Sequence, residues 1–268
     1  LAIIPFINII SLSISSPEAV ERGQVTLWPK GFSGEAIVAI IQSERFLRSF
    51  GNSVYYMVLG TAISLVMTAL CAYPLTKEFP GKRIFLAMMI ITLFFGGGMI
   101  PNYILITRLG MIDTVWALVL PGAISAYYVF IMQSYFKSIG NELEDAAKID
   151  GSSEIGILFN IIIPLSMPVF ATIGLFYAVG SWNSFTGPLI YMTSRDKYTL
   201  QIFLRDLVIQ SSSLNALDEA MAVKFITKRT ITQFKYAAII ISIVPVLFLY
   251  PVLQKHFTKG FTLGALKQ

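Results

Sequence analysis

Of 268 residues, 55% are hydrophobic and 13% charged, with a formal net charge of +5 and a mean hydropathy of +0.71. A soluble domain carries about 25% charged residues, so this composition excludes the ordinary soluble class and points to a membrane protein. One Cys and one His leave no internal disulfide and no metal constellation, and no basic patch interleaved with stacking aromatics suggests nucleic acid.

The chain opens in an apolar run, Leu1 to Ile14. It reads as the end of a helix that begins before the given sequence. A cleaved signal peptide is the rival, but a basic leading region and an A-x-A-like site are both missing. A polar segment, 15–50, follows. Asp, Glu, Lys and Arg are then absent from Ser49–Thr76, Ile84–Thr107, Thr114–Phe136, Ile155–Ser194 and Tyr236–Gln254. A bilayer-crossing helix needs about 20 mostly apolar residues. The pattern predicts an all-α protein with six transmembrane helices at 1–14 (truncated), 51–76, 84–107, 114–136, 165–192 and 235–254. Three regions result: 1–48, the first helix and an extracytoplasmic segment; 49–254, the membrane domain; and 255–268, a cytoplasmic tail.

Glycine and proline interrupt two spans. Phe95-Gly96-Gly97-Gly98-Met99-Ile100-Pro101 should break or end the third, and Gly180 through Gly187-Pro188 should disturb the fifth. Non-helical backbone at membrane depth survives only when buried in protein or lining a wet cavity. The fifth helix is therefore a candidate pathway wall, unless Gly187-Pro188 simply marks its outer end. Cys71, inside an apolar stretch, reads as packing. His256 reads as an interfacial polar residue.

Charge counting does not fix the orientation. With the 77–83 turn, the 137–164 segment and the tail inside, Lys77, Lys82, Arg83, Lys137, Lys148, Lys255, Lys259 and Lys267 give eight of the twenty basic residues. The raw count opposes that arrangement. The two shortest loops support it, with three basic residues in 77–83 against one in 108–113.

The most informative stretch is 137–164. Asn141 to Asp150 is a charged helical run containing the adjacent small residues Ala146 and Ala147. Gly151 ends it as a C′ glycine does. Ser152 and Ser153 can cap a second helix, whose apolar positions Ile155, Leu158, Phe159 and Ile162 follow i, i+3, i+4, i+7 spacing. Pro164 and Pro168 follow. The expected product is a helix–glycine–helix elbow, 141–164, on the membrane surface with one face open to another protein.

Asp145-Ala146-Ala147, Gly151, Ile161 and Ile163-Pro164 resemble the EAA motif of bacterial ABC importer permeases. Asp145 stands where Glu is usual, and Ile163 where Leu is usual. Leu143 through Ser153 looks like the carbohydrate-uptake branch. So do Phe50-Gly51-Asn52-Ser53, Cys71-Ala72-Tyr73-Pro74-Leu75, Phe95 through Pro101, Ser181-Trp182-Asn183-Ser184 and Tyr250 through Lys255. The likeness is strongest to the maltose-type permeases' subgroup for uronate and rhamnogalacturonan oligosaccharides. Lys259 through Lys267 resembles the family's glycine-containing C-terminus, which in the maltose-type relative reaches the ATPase dimer interface.

The resemblance implies a type I importer permease fold in the bacterial inner membrane. It implies a second permease as heterodimer partner, two ATPase subunits and an extracytoplasmic solute-binding protein, besides membrane lipid. Glu144, Asp145, Ala146, Ala147, Asp150, Gly151, Ile161 and Pro164 would couple the chain to the ATPase. The chain itself would be no enzyme and carry no cofactor, because ATP and Mg²⁺ belong to the partners. Its own residues agree: no P-loop is present. The spans also lack the ionisable groups typical of ion-driven transporters.

Substrate contact is less determined. Trp182 and Asn183 could offer an indole face and a carboxamide to a sugar, or be a membrane-interface residue and an interhelical bond. Tyr127 and Tyr128 are pathway candidates of the same kind, as are Asn52, Tyr73, Asn102 and Tyr103. A secondary transporter or channel, an intramembrane enzyme and an ABC permease for peptides or other solutes remain as alternatives. ATP-dependence of uptake separates the first, a missing acid–base pair disfavours the second, and ligand binding to the solute-binding protein separates the third.

Overall fold

The computed structural model describes residues 3–140, 142–212, 233–245 and 247. Among these residues the structure is helical, with no strand beyond an isolated bridge between Ser15 and Phe32. The described residues divide into two compact units, 3–54 with 184–212, 233–245 and 247, and 55–140 with 142–183.

One helix, Glu44–Ala72, continues through the 3-10 turn Pro74–Thr76. By length and composition it is the single continuous described helix able to cross a bilayer. Its 29 residues extend about 43 Å at 1.5 Å per residue. It starts seven residues ahead of the expected position 51. The charges of Glu44, Arg45 and Arg48 are accommodated at its first turns, where Arg48 meets Glu44 at 2.9 Å and Arg45 meets Asp206 at 3.3 Å.

Two further expected spans are bent: Lys82–Phe94 and Met99–Arg108 meet at 114°, and Trp116–Gly122 and Ala126–Ser138 at 54°. A third bend, of 83° between Glu154–Leu165 and Met167–Trp182, separates the second helix of the elbow from the start of the fifth expected span. With each bent pair counted as one span, up to four spans satisfy length and composition among the described residues. The first bend falls on the glycine run, where Gly98 adopts φ +81°. Without a Cβ this conformation carries no steric penalty. The fifth expected helix divides where its sequence suggested, into Met167–Trp182 and Thr186–Tyr191. The first apolar run forms Ile3–Ser13. The sixth is described over 233–245 and at 247; the expected tail, His256 included, lies outside the described residues.

In the first unit, Asn52 is occupied structurally. Its Nδ2 donates to the carbonyls of Asp196 at 2.7 Å and Tyr198 at 3.1 Å. One residue on, Ser53 Oγ accepts from the Leu200 amide at 2.8 Å. These bonds seat the start of helix Leu200–Ser212.

The second unit has its own core. Ala69 and Ala72 of the long helix, Val129, Met132 and Phe136 of Ala126–Ser138, Ile157 and Ile162 of the elbow, and Val169 and Ile173 of Met167–Trp182 are buried together. Gly174 permits close approach: a Cβ there would meet Leu65 Cδ1 at 3.2 Å. The polar atoms released by the bend near Ser125 find partners. The Ser125 amide donates to the Tyr177 hydroxyl at 3.3 Å, and that hydroxyl lies 2.9 Å from Thr68 Oγ1. Satisfied backbone is the condition for a broken helix within a bilayer.

Candidate coupling site

The elbow's first arm is Glu142–Ile149. It ends in a Schellman arrangement. The Ser152 amide donates to the Ala147 carbonyl at 2.9 Å and the Gly151 amide to Lys148 at 3.0 Å, with Gly151 at φ +80°. Ser153 then caps the second arm, its Oγ accepting from the Gly156 amide at 3.1 Å. The glycine stop and serine cap therefore stand where the spacing put them.

The apolar stripe of the second arm does not form as expected. Leu158 and Ile162 are buried, but Ile155 and Phe159 are exposed, and Ile157 joins the core instead. A π-helical turn runs over Leu158–Ile162. Its wider i→i+5 spacing lets Ile157 and Ile162, five residues apart, share the buried face; Ile155 lies ahead of that turn, in the arm's first turn. Ile161 is half-buried and Pro164 exposed.

The first arm presents two faces. Asp145, Ala146, Lys148, Ile149 and Asp150 are exposed, and Ile149 is 87% accessible. Leu143 is half exposed on the same short helix. Glu144 and Ala147 point the other way, at 5% and 8%. Glu144 therefore differs from the rest of the expected coupling set. Its carboxylate forms an ion pair with Lys77, just past the long helix. Burial holds the Lys77 ammonium below its ordinary pKa, opposed by the nearby carboxylates of Glu154 and Asp145.

A second contact binds the other arm. The Tyr73 hydroxyl donates to Glu154 Oε2 at 2.8 Å, while Lys148 Nζ meets Glu154 Oε1 at 2.7 Å. The Lys148 hydrogen bond, then that from Tyr73, holds the Glu154 carboxyl below the usual carboxylate range. Lys77 Nζ lies 4.9 Å from the Tyr73 ring centroid, within cation–π range. Below this network Gln133 Nε2 donates to the buried Leu75 carbonyl at 2.7 Å. From sequence alone Tyr73 is ambiguous between a sugar contact and a structural residue, and Lys77 has no role beyond its charge. Their separation from the elbow in sequence left no local signal.

Among the pathway candidates, Trp182 is buried at 3% and Asn183 exposed. Tyr127 is 58% exposed and Tyr128 half-buried. Tyr128 stacks on Phe176 with centroids 5.9 Å apart and meets Tyr177 edge-on at 4.8 Å. Tyr127 contacts Tyr128 at 5.5 Å. The aromatic group follows the bend near Ser125. Among the described residues, no group of three or more His, Cys, Asp or Glu is placed to hold a metal.

Residues 36–263 match the family described as binding-protein-dependent transport system inner membrane component. The chain belongs to this family. The permease is 40% identical to Protein LplC of Bacillus subtilis over 268 residues, covering all of this chain and 90% of LplC. It is 38% identical to the polygalacturonan/rhamnogalacturonan transport system permease protein YtcP of the same organism, covering all of this chain and 93% of YtcP. A crystal structure of a bacterial ABC transporter involved in import of the acidic polysaccharide alginate contains a chain 33% identical to this permease. It superposes with a TM-score of 0.89, over 96% of this chain and 91% of that one. The permease is thus an inner-membrane subunit of a binding-protein-dependent ABC transport system.

Proposed function

We propose that this permease carries an oligosaccharide inward through the membrane, driven by ATP hydrolysis on separate subunits docked at the elbow. The observation that carries the reading is the two-faced first arm. Asp145, Ala146, Ile149 and Asp150 form an open patch, while Glu144 and Ala147 are turned into the protein. An isoleucine 87% exposed beside two carboxylates suits a protein surface that supplies an apolar cleft and a cation. A rigid short helix seated in such a cleft can carry the closure of two ATPase subunits into lipid-embedded helices. Ala146 permits close approach, Asp145 supplies a charge or caps backbone amides on the partner, and Gly151 fixes the angle between the arms.

The finer reading has six crossings, the bent pairs Lys82–Phe94 with Met99–Arg108 and Trp116–Gly122 with Ala126–Ser138 each counting as one, with the elbow, 141–164, in the cytoplasm. It adds a second permease, two ATPase subunits that hold ATP and Mg²⁺, and a solute-binding protein outside. A sugar substrate is supported by YtcP and by the alginate transporter, and a uronate-containing chain is the common denominator of those two. Tyr127 and Tyr128, with Asn183 in the same unit, are the proposed pathway residues. An exposed tyrosine offers a flat apolar face and a hydroxyl, the combination that a pyranose ring recognises.

The test uses the assembled transporter in proteoliposomes. Ala146→Cys should cross-link to an ATPase subunit through a short bifunctional reagent. Uptake of a galacturonan oligosaccharide should require ATP and persist when ion gradients are collapsed. Cross-linking only from outside, or uptake without ATP, would sink the reading.

A further inference from the structure

The elbow is covalently continuous with two membrane helices, Ala126–Ser138 before it and Met167–Trp182 after it. The ion pair and hydrogen bond described above add a third outlet, to the helix Glu44–Ala72. Resting on the docking role just proposed, we infer that Tyr73 and Lys77 are positioning residues: they receive the elbow's displacement and pass it to that helix.

Several observations converge. Each of the two residues holds a different arm: Lys77 pairs with Glu144 of the first, and Tyr73 with Glu154 at the start of the second. Lys148 and Glu154 tie the arms to each other across Gly151 at 2.7 Å. The elbow is therefore braced on both sides of its bend and moves as one body. On the receiving side, the 3-10 turn Pro74–Thr76 separates Tyr73 from Lys77, and the Lys77 amide donates to the Pro74 carbonyl at 3.0 Å. The turn is braced in turn by Gln133, so slack between Tyr73 and Lys77 is small.

Burial decides which carboxylate does what. Glu144 at 5% accessibility with a matched cation has no face left for an ATPase, whereas its neighbour Asp145 is open. Two adjacent acids thus divide the work, one gripping inward and one presented outward. The pair suits the inward grip because Glu144 is buried while Lys77 is only partly so, and pulling them apart would leave the buried Glu144 carboxylate uncompensated, which is resisted. Pulling on Glu144 therefore moves Lys77 rather than stretching the contact.

The test is a charge exchange in the complete transporter, reconstituted with its ATPase subunits and binding protein and supplied with a galacturonan oligosaccharide mixture. The binding protein acts on the outer side and hydrolysis occurs inside, so stimulation of hydrolysis must cross the membrane helices. Lys77→Glu and Glu144→Lys should each still assemble with the ATPase subunits and hydrolyse ATP. Stimulation by the binding protein should fall about tenfold, within the usual range of site-to-site coupling. The double exchange should return it to within about threefold of the parent, as a pairwise contact requires. Tyr73→Phe, which removes a single hydroxyl and no charge, should lower stimulation by about threefold with assembly intact. Parent-like stimulation in both single exchanges and in Tyr73→Phe would overturn the inference while leaving docking untouched. Loss of the ATPase subunits from Glu144→Lys alone would also overturn it, because Glu144 would then be a docking residue. A parent protein that neither binds the ATPase subunits nor responds to the binding protein would overturn the docking reading itself.

Discussion

Tyr73 donates its hydroxyl to Glu154 at 2.8 Å across 81 residues of chain. The same carboxylate takes Lys148 on its other oxygen, so one side chain closes the elbow on itself and fastens it to a membrane helix.

That arrangement gives a pH dependence with a definite sign. Hydrogen bonds from Lys148 and Tyr73 hold the Glu154 carboxyl below its ordinary value of 4.5. A depressed carboxylate pKa stabilises the fold fully above the unfolded value, and the contribution is lost as pH falls through the folded one. Hydrogen exchange in the elbow should therefore accelerate as pH falls below about 4.5, after correction for intrinsic rates. The excess should be absent in Glu154→Gln. Identical corrected profiles for the two proteins would contradict the assignment.

Gly151 should tolerate Asn better than Val. Its φ of +80° is the obstacle, since nothing lies within 4 Å of a Cβ built there. The left-handed conformation costs an ordinary L-residue about 1–2 kcal/mol, and Asn less. Uptake per ATP hydrolysed should fall steeply in Gly151→Val and mildly in Gly151→Asn, with membrane insertion unchanged in both. Equal, parent-like coupling would show that the bend angle is immaterial.

Gln133→Leu should destabilise the second unit without touching the exposed elbow face. It leaves the buried Leu75 carbonyl without its 2.7 Å donor, a loss of about 1–3 kcal/mol. The melting temperature in detergent should drop, while Ala146→Cys cross-linking to the ATPase persists. No thermal change would mean that another donor replaces Gln133.

Trp182 and Tyr127 should separate by the kind of damage their replacement causes. Trp182 is buried at 3%, so Trp182→Ala opens a cavity and should cost about 3–5 kcal/mol, read as lost thermal stability. Tyr127 is exposed in the permease. Tyr127→Ala should keep its melting temperature and slow galacturonan uptake several-fold if the ring touches sugar. Unimpaired uptake by that variant removes Tyr127 from the pathway.

Much of the elbow was legible in advance because its determinants are local. A charged helix, a C′ glycine, a serine cap and two prolines each act within one or two turns, and the arms and their bend followed. The breaks near Gly96–Gly98 and after Trp182 were legible for the same reason. The bend within 114–136 was not legible, because charge-free length fixes how much chain can enter lipid, not whether it runs straight. The π turn over Leu158–Ile162 also escaped, since apolar spacing assumes the very periodicity that the turn alters.

By itself, then, the sequence determined the membrane class, the helical content and the presence of a glycine-hinged elbow, all governed by side-chain chemistry and neighbours a few residues away. Tertiary structure alone decided that Glu144 turns inward while Asp145 stays open, and that Tyr73 and Lys77 meet the elbow. Adjacent carboxylates have nearly the same local propensities. Which one is buried depends on where a cation from a distant part of the chain can reach it, and only packing sets that distance.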